Sequence, residues 1–211
     1  MKLLIAIPCM DTLPTAFVES FISMQKPENT NVRFWKNSLV HDARNLLALT
    51  AINEGYDYVM WLDSDMICPQ DTIPRLLHTA QGRGAEMVTG LYVKRTYPTE
   101  PLIYKHLGPP VMRDGKLVSA METYTDYPVR SVFQVEGCGF GCVLTSVPLL
   151  KRVWDKFAPA FHPLQYAGED LAFCMHVKGV GETILCDSNI SCGHIGTFCY
   201  TEQMLKGSDE H

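Results

Sequence analysis

No stretch of this sequence stays apolar for the roughly 18 residues that a membrane span requires, so a soluble chain without a transmembrane segment is expected. Positive charge is also scarce: 18 Lys and Arg face 23 Asp and Glu, the net charge is −5, and no basic stripe runs along the chain. General nucleic-acid binding therefore has little electrostatic support, and no nucleic-acid partner is expected. Internal repeats and low-complexity tracts are missing, which excludes solenoids and long disordered linkers. No cleavable leader is expected either. Lys2 precedes an apolar run, but Pro8 interrupts it and no small-residue cleavage site follows, so MKLLIAIPCM reads as a first strand. No Cys-x2-Cys pair occurs, which leaves CDSNISCGH (186–194) short of the four ligands of a structural zinc site. The eight cysteines (9, 68, 138, 142, 174, 186, 192 and 199) sit mostly in apolar segments such as FCMHV and ILCDSN. There a reduced thiol acts as a small hydrophobe, and a cytoplasmic location is expected.

What is present is a chain of 211 residues, 46% hydrophobic and 19% charged, enough for one domain with a sizeable core over 1–211. Strand-like and helix-like segments alternate through the first half, the signature of an α/β fold with a mostly parallel central sheet flanked by helices. Strands are predicted at 2–7, 31–35, 56–62 and 86–92, with helices at 15–24, 38–54 (capped by Ser38 and stopped by Gly55) and 71–79. The strand at 56–62 is apolar on both faces, as a central parallel strand should be. Residues 93–136 change character: they are rich in Pro, Tyr and Thr, with a hairpin turn at RDGK and short strand-like pieces at PLIYKH and SVFQVE. This predicts a smaller antiparallel region. Helical spacing returns at 148–157 and 169–178, two strand-like pieces follow at 183–186 and 190–191, and 206–211 is a polar tail.

The chemistry concentrates where apolar runs end. DYVMWL runs into Asp63-Ser64-Asp65. In an extended chain residues i and i+2 point the same way, so both carboxylates would face one crevice at the carboxyl end of a central strand. Hard oxygen donors there suit Mn2+ or Mg2+, although a turn or helix-cap aspartate before Pro69 would look the same. Arg44 and Asn45 of HDARN come early in a helix, where a cation opposes the helix dipole unless an anion lies near. That location favours a phosphate or carboxylate partner over a solvated surface arginine. Glu169 and Asp170 open a helix, where capping alone explains two acids as readily as a general base does. His194 stands between glycines in CGHIG after a short strand, a setting that suits a metal ligand as well as a structural histidine. GCGFG (137–141) lacks the G-x-G-x-x-G spacing of a dinucleotide loop and leads into a strand, so Gly139 and Gly141 are assigned to backbone passing close to a bound sugar or acceptor.

Taken in order, IPCM, HDARNLL, DYVMWLDSDM, GCGFGCVLTS, GEDLAFC and DSNISCGHIG resemble the GT-A glycosyltransferases, in particular bacterial and phage relatives of the family 2 enzymes. The resemblance runs from residue 3 to about 196 and is thinnest over 93–136, where such enzymes vary with their acceptor. It implies a metal-dependent transferase that moves a sugar from a nucleoside diphosphate-sugar donor to an acceptor, whether glycan, protein or lipid-linked. It places Pro8, Arg44, Asp63, Ser64, Gly139 and Gly141 around the nucleotide-sugar, with Asp63 near the ribose and Arg44 approaching the diphosphate. Asp65 and His194 become ligands of Mn2+ or Mg2+, and Asp170, beside Glu169, becomes the catalytic base. Two other readings stay open: an Asp-x-Asp phosphatase with Asp63 as nucleophile, and a non-catalytic nucleotide- or sugar-binding module.

Overall fold

The computed structural model describes residues 1–118 and 120–197; the polar tail at 206–211 lies outside the described residues. In chain order the elements are β1 (Leu3–Cys9), α1 (Thr15–Ser23), β2 (Thr30–Lys36), α2 (Val40–Asn53), β3 (Tyr58–Leu62), β4 (Met66–Ile67), α3 (Thr72–Arg83) and β5 (Met87–Leu91). The middle of the chain forms β6 (Ile103–His106), β7 (Val111–Arg113), β8 (Lys116–Val118), β9 (Glu122–Thr123), β10 (Val132–Val135) and β11 (Gly137–Cys138). Then come β12 (Cys142–Ser146), α4 (Val147–Phe157), α5 (Glu169–Gly179), β13 (Ile184–Ser191) and β14 (Gly193–His194).

A seven-stranded sheet in the order β10-β13-β5-β12-β3-β1-β2 forms the centre. β1 pairs in parallel with β2 and β3, and β13 with β5, while β12 runs antiparallel between β3 and β5, and β10 antiparallel on the outer edge. The sequence pattern explains why the sheet is buried on both sides. Along β1, Leu4 and Ala6 join one apolar cluster while Leu3, Ile5 and Ile7 join the other; Val59 and Trp61 of β3 alternate in the same way with Met60 and Leu62. The first cluster packs beneath α2, α4 and α5, the second beneath α1 and α3.

Local chemistry sets the element ends. Ser146 caps α4 by accepting the Leu149 N–H at 3.1 Å, with Pro148 in the first turn where a missing N–H costs nothing. Gly84 ends α3 in the left-handed conformation at φ 62°, which a Cβ would strain. The RDGK turn forms as expected: Asp114 and Gly115 take φ of 49° and 73° and join β7 to β8 in an isolated two-stranded ribbon. β11, β6 and β9 make the smaller antiparallel sheet. Two expectations are corrected. α2 begins at Val40, so Leu39 rather than Ser38 takes the cap position, and no side chain caps it. The pieces expected at 183–186 and 190–191 are one strand, β13, interrupted by a register shift between Asp187 and Ser191.

Candidate active site

The carboxyl ends of β1, β2 and β3 open onto a hollow of about 210 Å³ lined by Pro8, Trp35, Ser38, Asp63, Ser64 and Asp65, among others. A wider hollow of about 810 Å³ lies by Tyr58 and Glu86, at the opposite end of the sheet, away from the carboxyl ends where open α/β sheets hold their ligands.

Asp63 and Asp65 do not continue β3. The strand stops at Leu62, and a turn follows in which the Met66 N–H donates to Asp63 O at 3.3 Å. This corrects the extended geometry expected from the spacing: both aspartates line the hollow, but each meets its own partners. Asp63 Oδ1 accepts from Arg44 Nη2 at 2.8 Å. Asp65 Oδ2 accepts from Arg95 Nη1 at 2.7 Å and lies 3.5 Å from His194 Nε2.

Arg44 is held inside the protein rather than open to the hollow. Its side chain is 4% exposed, its second guanidinium arm pairs with Glu169, and its plane packs over the Phe140 ring at 5.3 Å. Burial opposes its charge, but Asp63, Glu169 and Asp170 outweigh burial and raise its pKa. The anionic partner implied by an arginine early in a helix is therefore a pair of carboxylates, and the Arg44 Nε stays buried without a hydrogen-bond partner. Burial raises the pKa of Asp63, more than Arg44 lowers it. Asn45 lies one residue on. It donates to Phe161 O at 2.8 Å and accepts the Phe161 N–H at 2.9 Å, clasping the segment that leads to α5.

Glu169 and Asp170 form the first turn of α5, and Asp170 Oδ1 accepts the Leu171 N–H at 2.8 Å. Burial raises the Asp170 pKa against the opposing pull of Arg44. Gly139 lies beside this turn, and both Gly139 and Gly141 are pressed against side chains of the protein itself. A Cβ on Gly139 would come within 2.2 Å of the Tyr92 hydroxyl, and one on Gly141 within 2.8 Å of Met66 Sδ. The Gly141 N–H donates to Tyr92 Oη at 2.8 Å.

His194 arrives by strand pairing. β14 runs antiparallel to β4 with His194 opposite Met66, and the Ile195 N–H donates to Asp65 O at 2.8 Å. The imidazole stands edge-on to Tyr92, and its Nδ1 lies 2.8 Å from Val93 O. A carbonyl only accepts, so Nδ1 carries the proton of that bond and Nε2 is the nitrogen turned toward Asp65. An imidazole nitrogen and a carboxylate oxygen held 3.5 Å apart are spaced for a shared cation bound at roughly 2.0–2.2 Å. Arg95 was invisible to motif reading. Its one signal is the basic pair Lys94-Arg95 just past the carboxyl end of β5. Trp35 and Ser38, which line the hollow, were likewise missed.

The model of glycosyl transferase family 2 matches residues 15–150, more than half of the chain. The chain belongs to that family. Among solved structures, the family 2 chain is similar to A197 from STIV, with a TM-score of 0.66 at 18% identity, covering 93% of this chain and 87% of that one. It is also similar to GalNAc-T7 in complex with UDP, GalNAc and Mn2+, with a TM-score of 0.63 at 12% identity, covering 94% of this chain but 44% of that one. None of the curated proteins matches. These likenesses establish a GT-A-like fold for the family 2 chain, which is a glycosyltransferase. Among its described residues no helix is long and apolar enough to cross a membrane.

Proposed function

We propose that this glycosyltransferase is a single catalytic domain that transfers a sugar from a nucleoside diphosphate-sugar to an acceptor with the help of a divalent cation, Mn2+ or Mg2+. The observation that carries the reading is the facing pair of His194 Nε2 and Asp65 Oδ2 at 3.5 Å beside the hollow, with the imidazole fixed through its other nitrogen. One imidazole and one carboxylate fit a cation of the Mn2+ type, and Mn2+ accompanies UDP in the similar GalNAc-T7. When bound, the cation supplies Lewis-acid neutralisation of the charge that collects on the departing diphosphate.

The chain's own residues supply the rest. Pro8, Trp35, Ser38 and Ser64 line the space for the nucleoside, and Asp63, held by Arg44, stands ready to accept a ribose hydroxyl. Asp170 removes the proton of the attacking acceptor hydroxyl, and its buried position makes it more basic than a solvated aspartate. Glu169 is the partner that holds Arg44 in place, so it orients the acids rather than touching the sugar. The β11-β6-β9 sheet and the β7-β8 ribbon form the acceptor side. A phosphatase using Asp63 as its nucleophile is less well supported, because Arg44 already occupies one of the carboxylate oxygens.

The test is thermal stabilisation by UDP and UDP-sugars with Mn2+ or with chelator. A ligand at about 100 times its Kd adds about 2.7 kcal/mol. Stabilisation is expected with Mn2+ and is expected to disappear with chelator and in Asp65→Ala. Equal nucleotide binding in the presence of chelator would falsify the metal assignment. A stabilised protein that turns over no donor with any acceptor would favour a binding module.

A further inference from the structure

Cys68 follows β4, Cys142 opens β12, and Cys192 links β13 to β14. The Sγ atoms of these three residues lie within 4.8 Å of one another, and each residue is 6% exposed or less. Packing as small hydrophobes explains each cysteine singly. It does not explain why three thiols from three remote segments converge sulfur to sulfur. The neighbouring Gly90 leaves room for the group, since a Cβ there would come within 3.1 Å of the Cys142 sulfur.

We propose that Cys68, Cys142 and Cys192 bind a soft, thiolate-seeking cation of the Zn2+ or Cu+ class, at a site separate from Asp65 and His194. Three sulfurs at about 2.3 Å from one ion stand about 3.8 Å apart. The observed spacing, within 4.8 Å, exceeds that by at most about 1 Å. Thiolates without a hard oxygen select against Mg2+ and Mn2+ and in favour of Zn2+ and Cu+. Among the described residues no histidine or carboxylate joins the group. Three protein ligands satisfy trigonal Cu+ or leave one tetrahedral position on Zn2+. Binding displaces the thiol protons and ties β4, β12 and the β13–β14 link together, so it adds stability to the ribbon that carries His194. The zinc arrangement considered from the sequence, over 186–194, does not form: of its two cysteines, Cys192 joins this cluster and Cys186 does not.

The full chain, reduced and stripped of metal, is titrated with Co2+ as a spectroscopic stand-in for Zn2+, then with Zn2+, and separately with Cu+. One thiolate-bound ion per chain is expected in one of these arms, with a thiolate-to-metal charge-transfer band and a higher melting temperature. The band is expected to persist in the Asp65→Ala/His194→Ala variant and in Cys9→Ser, and to be lost in Cys68→Ser and in Cys192→Ser. Two single variants guard against one failing to fold. A folded wild type that shows no thiolate band in either arm overturns the proposal, and so does a band that survives removal of the cluster cysteines. Loss of two titratable thiols under denaturing conditions would mark a disulfide instead and overturn it equally.

Discussion

Burial raises the pKa of Asp170 against the pull of Arg44, so the ionised form that a base requires is the form the fold resists. A carboxyl group whose folded pKa is raised contributes stability below its unfolded value, about 3.9, and that contribution is lost as pH rises through the folded value. Asp170→Asn keeps an oxygen for the Leu171 N–H and never ionises. It is therefore expected to melt above wild type at neutral pH, with the difference closing as pH falls into the carboxyl range. Transfer should drop by on the order of 10²-fold or more while donor affinity holds. Transfer at the wild-type rate would reduce Asp170 to a capping acid. Arg95 poses the opposite problem: its guanidinium, 52% exposed, sits on the Asp65 oxygen proposed for the cation. An exposed pair is worth about 1 kcal/mol or less, so Arg95→Ala is expected to tighten Mn2+ binding by only a few-fold in calorimetry. Weaker binding in that variant would show that Arg95 assists the ion instead of competing with it.

At the level of elements, α2 organises the acids. Arg44 fixes Asp63 at the end of β3 and Glu169 at the start of α5, while Asn45 holds the Phe161 backbone one residue later. Asn45→Ala leaves a buried N–H and a buried C=O unpaired, a cost of about 2 kcal/mol. The loss is expected to appear in chemical denaturation, together with a lower transfer rate at unchanged nucleotide affinity, because α5 and not the hollow loses its anchor. Equal losses in affinity and rate would argue that α2 shapes the nucleotide site directly. HDARN marked Arg44 and Asn45 as unusual for a helix start, but their partners lie 19 to 125 residues away in sequence. Local spacing carries no information at that range. The same limit applies to Gly139 and Gly141, whose need for close approach was legible while the approaching Tyr92 and Met66 were not.

Across the whole molecule the hollow lined by Asp63 and Asp65 sits at the ends of β1, β2 and β3, and among the described residues the β7-β8 ribbon pairs with no other strand. Its residues 111–116 are exposed. Replacing 111–118 with a short turn is therefore expected to leave the melting temperature and Mn2+-dependent UDP binding close to wild type, because exposed hairpin tips add little to a core. If acceptor contacts lie there, transfer falls while hydrolysis of the donor by water persists. Loss of nucleotide binding in the trimmed protein would assign the ribbon to the donor half.

Sequence alone determined the main elements and their burial, because continuous apolar runs in β1 and β3 mark strands covered on both faces and helical spacing in α4 encodes which side of that segment leaves water. It determined the Asp114-Gly115 turn, because positive φ at two successive positions suits those residues. It also carried the likeness to the family, whose model matches residues 15–150. Tertiary structure decided the rest. β12 is apolar on both faces and reads alike in either direction, so its antiparallel place between β3 and β5 follows only from sheet assembly. The turn after Leu62, which sends Asp63 to Arg44 and Asp65 to His194, depends on the pairing of β14 with β4. The meeting of Cys68, Cys142 and Cys192 depends on that ribbon and on the start of β12. Side-chain periodicity reports burial, a local property, whereas a site assembled from the ends of several strands is fixed by which strands become neighbours.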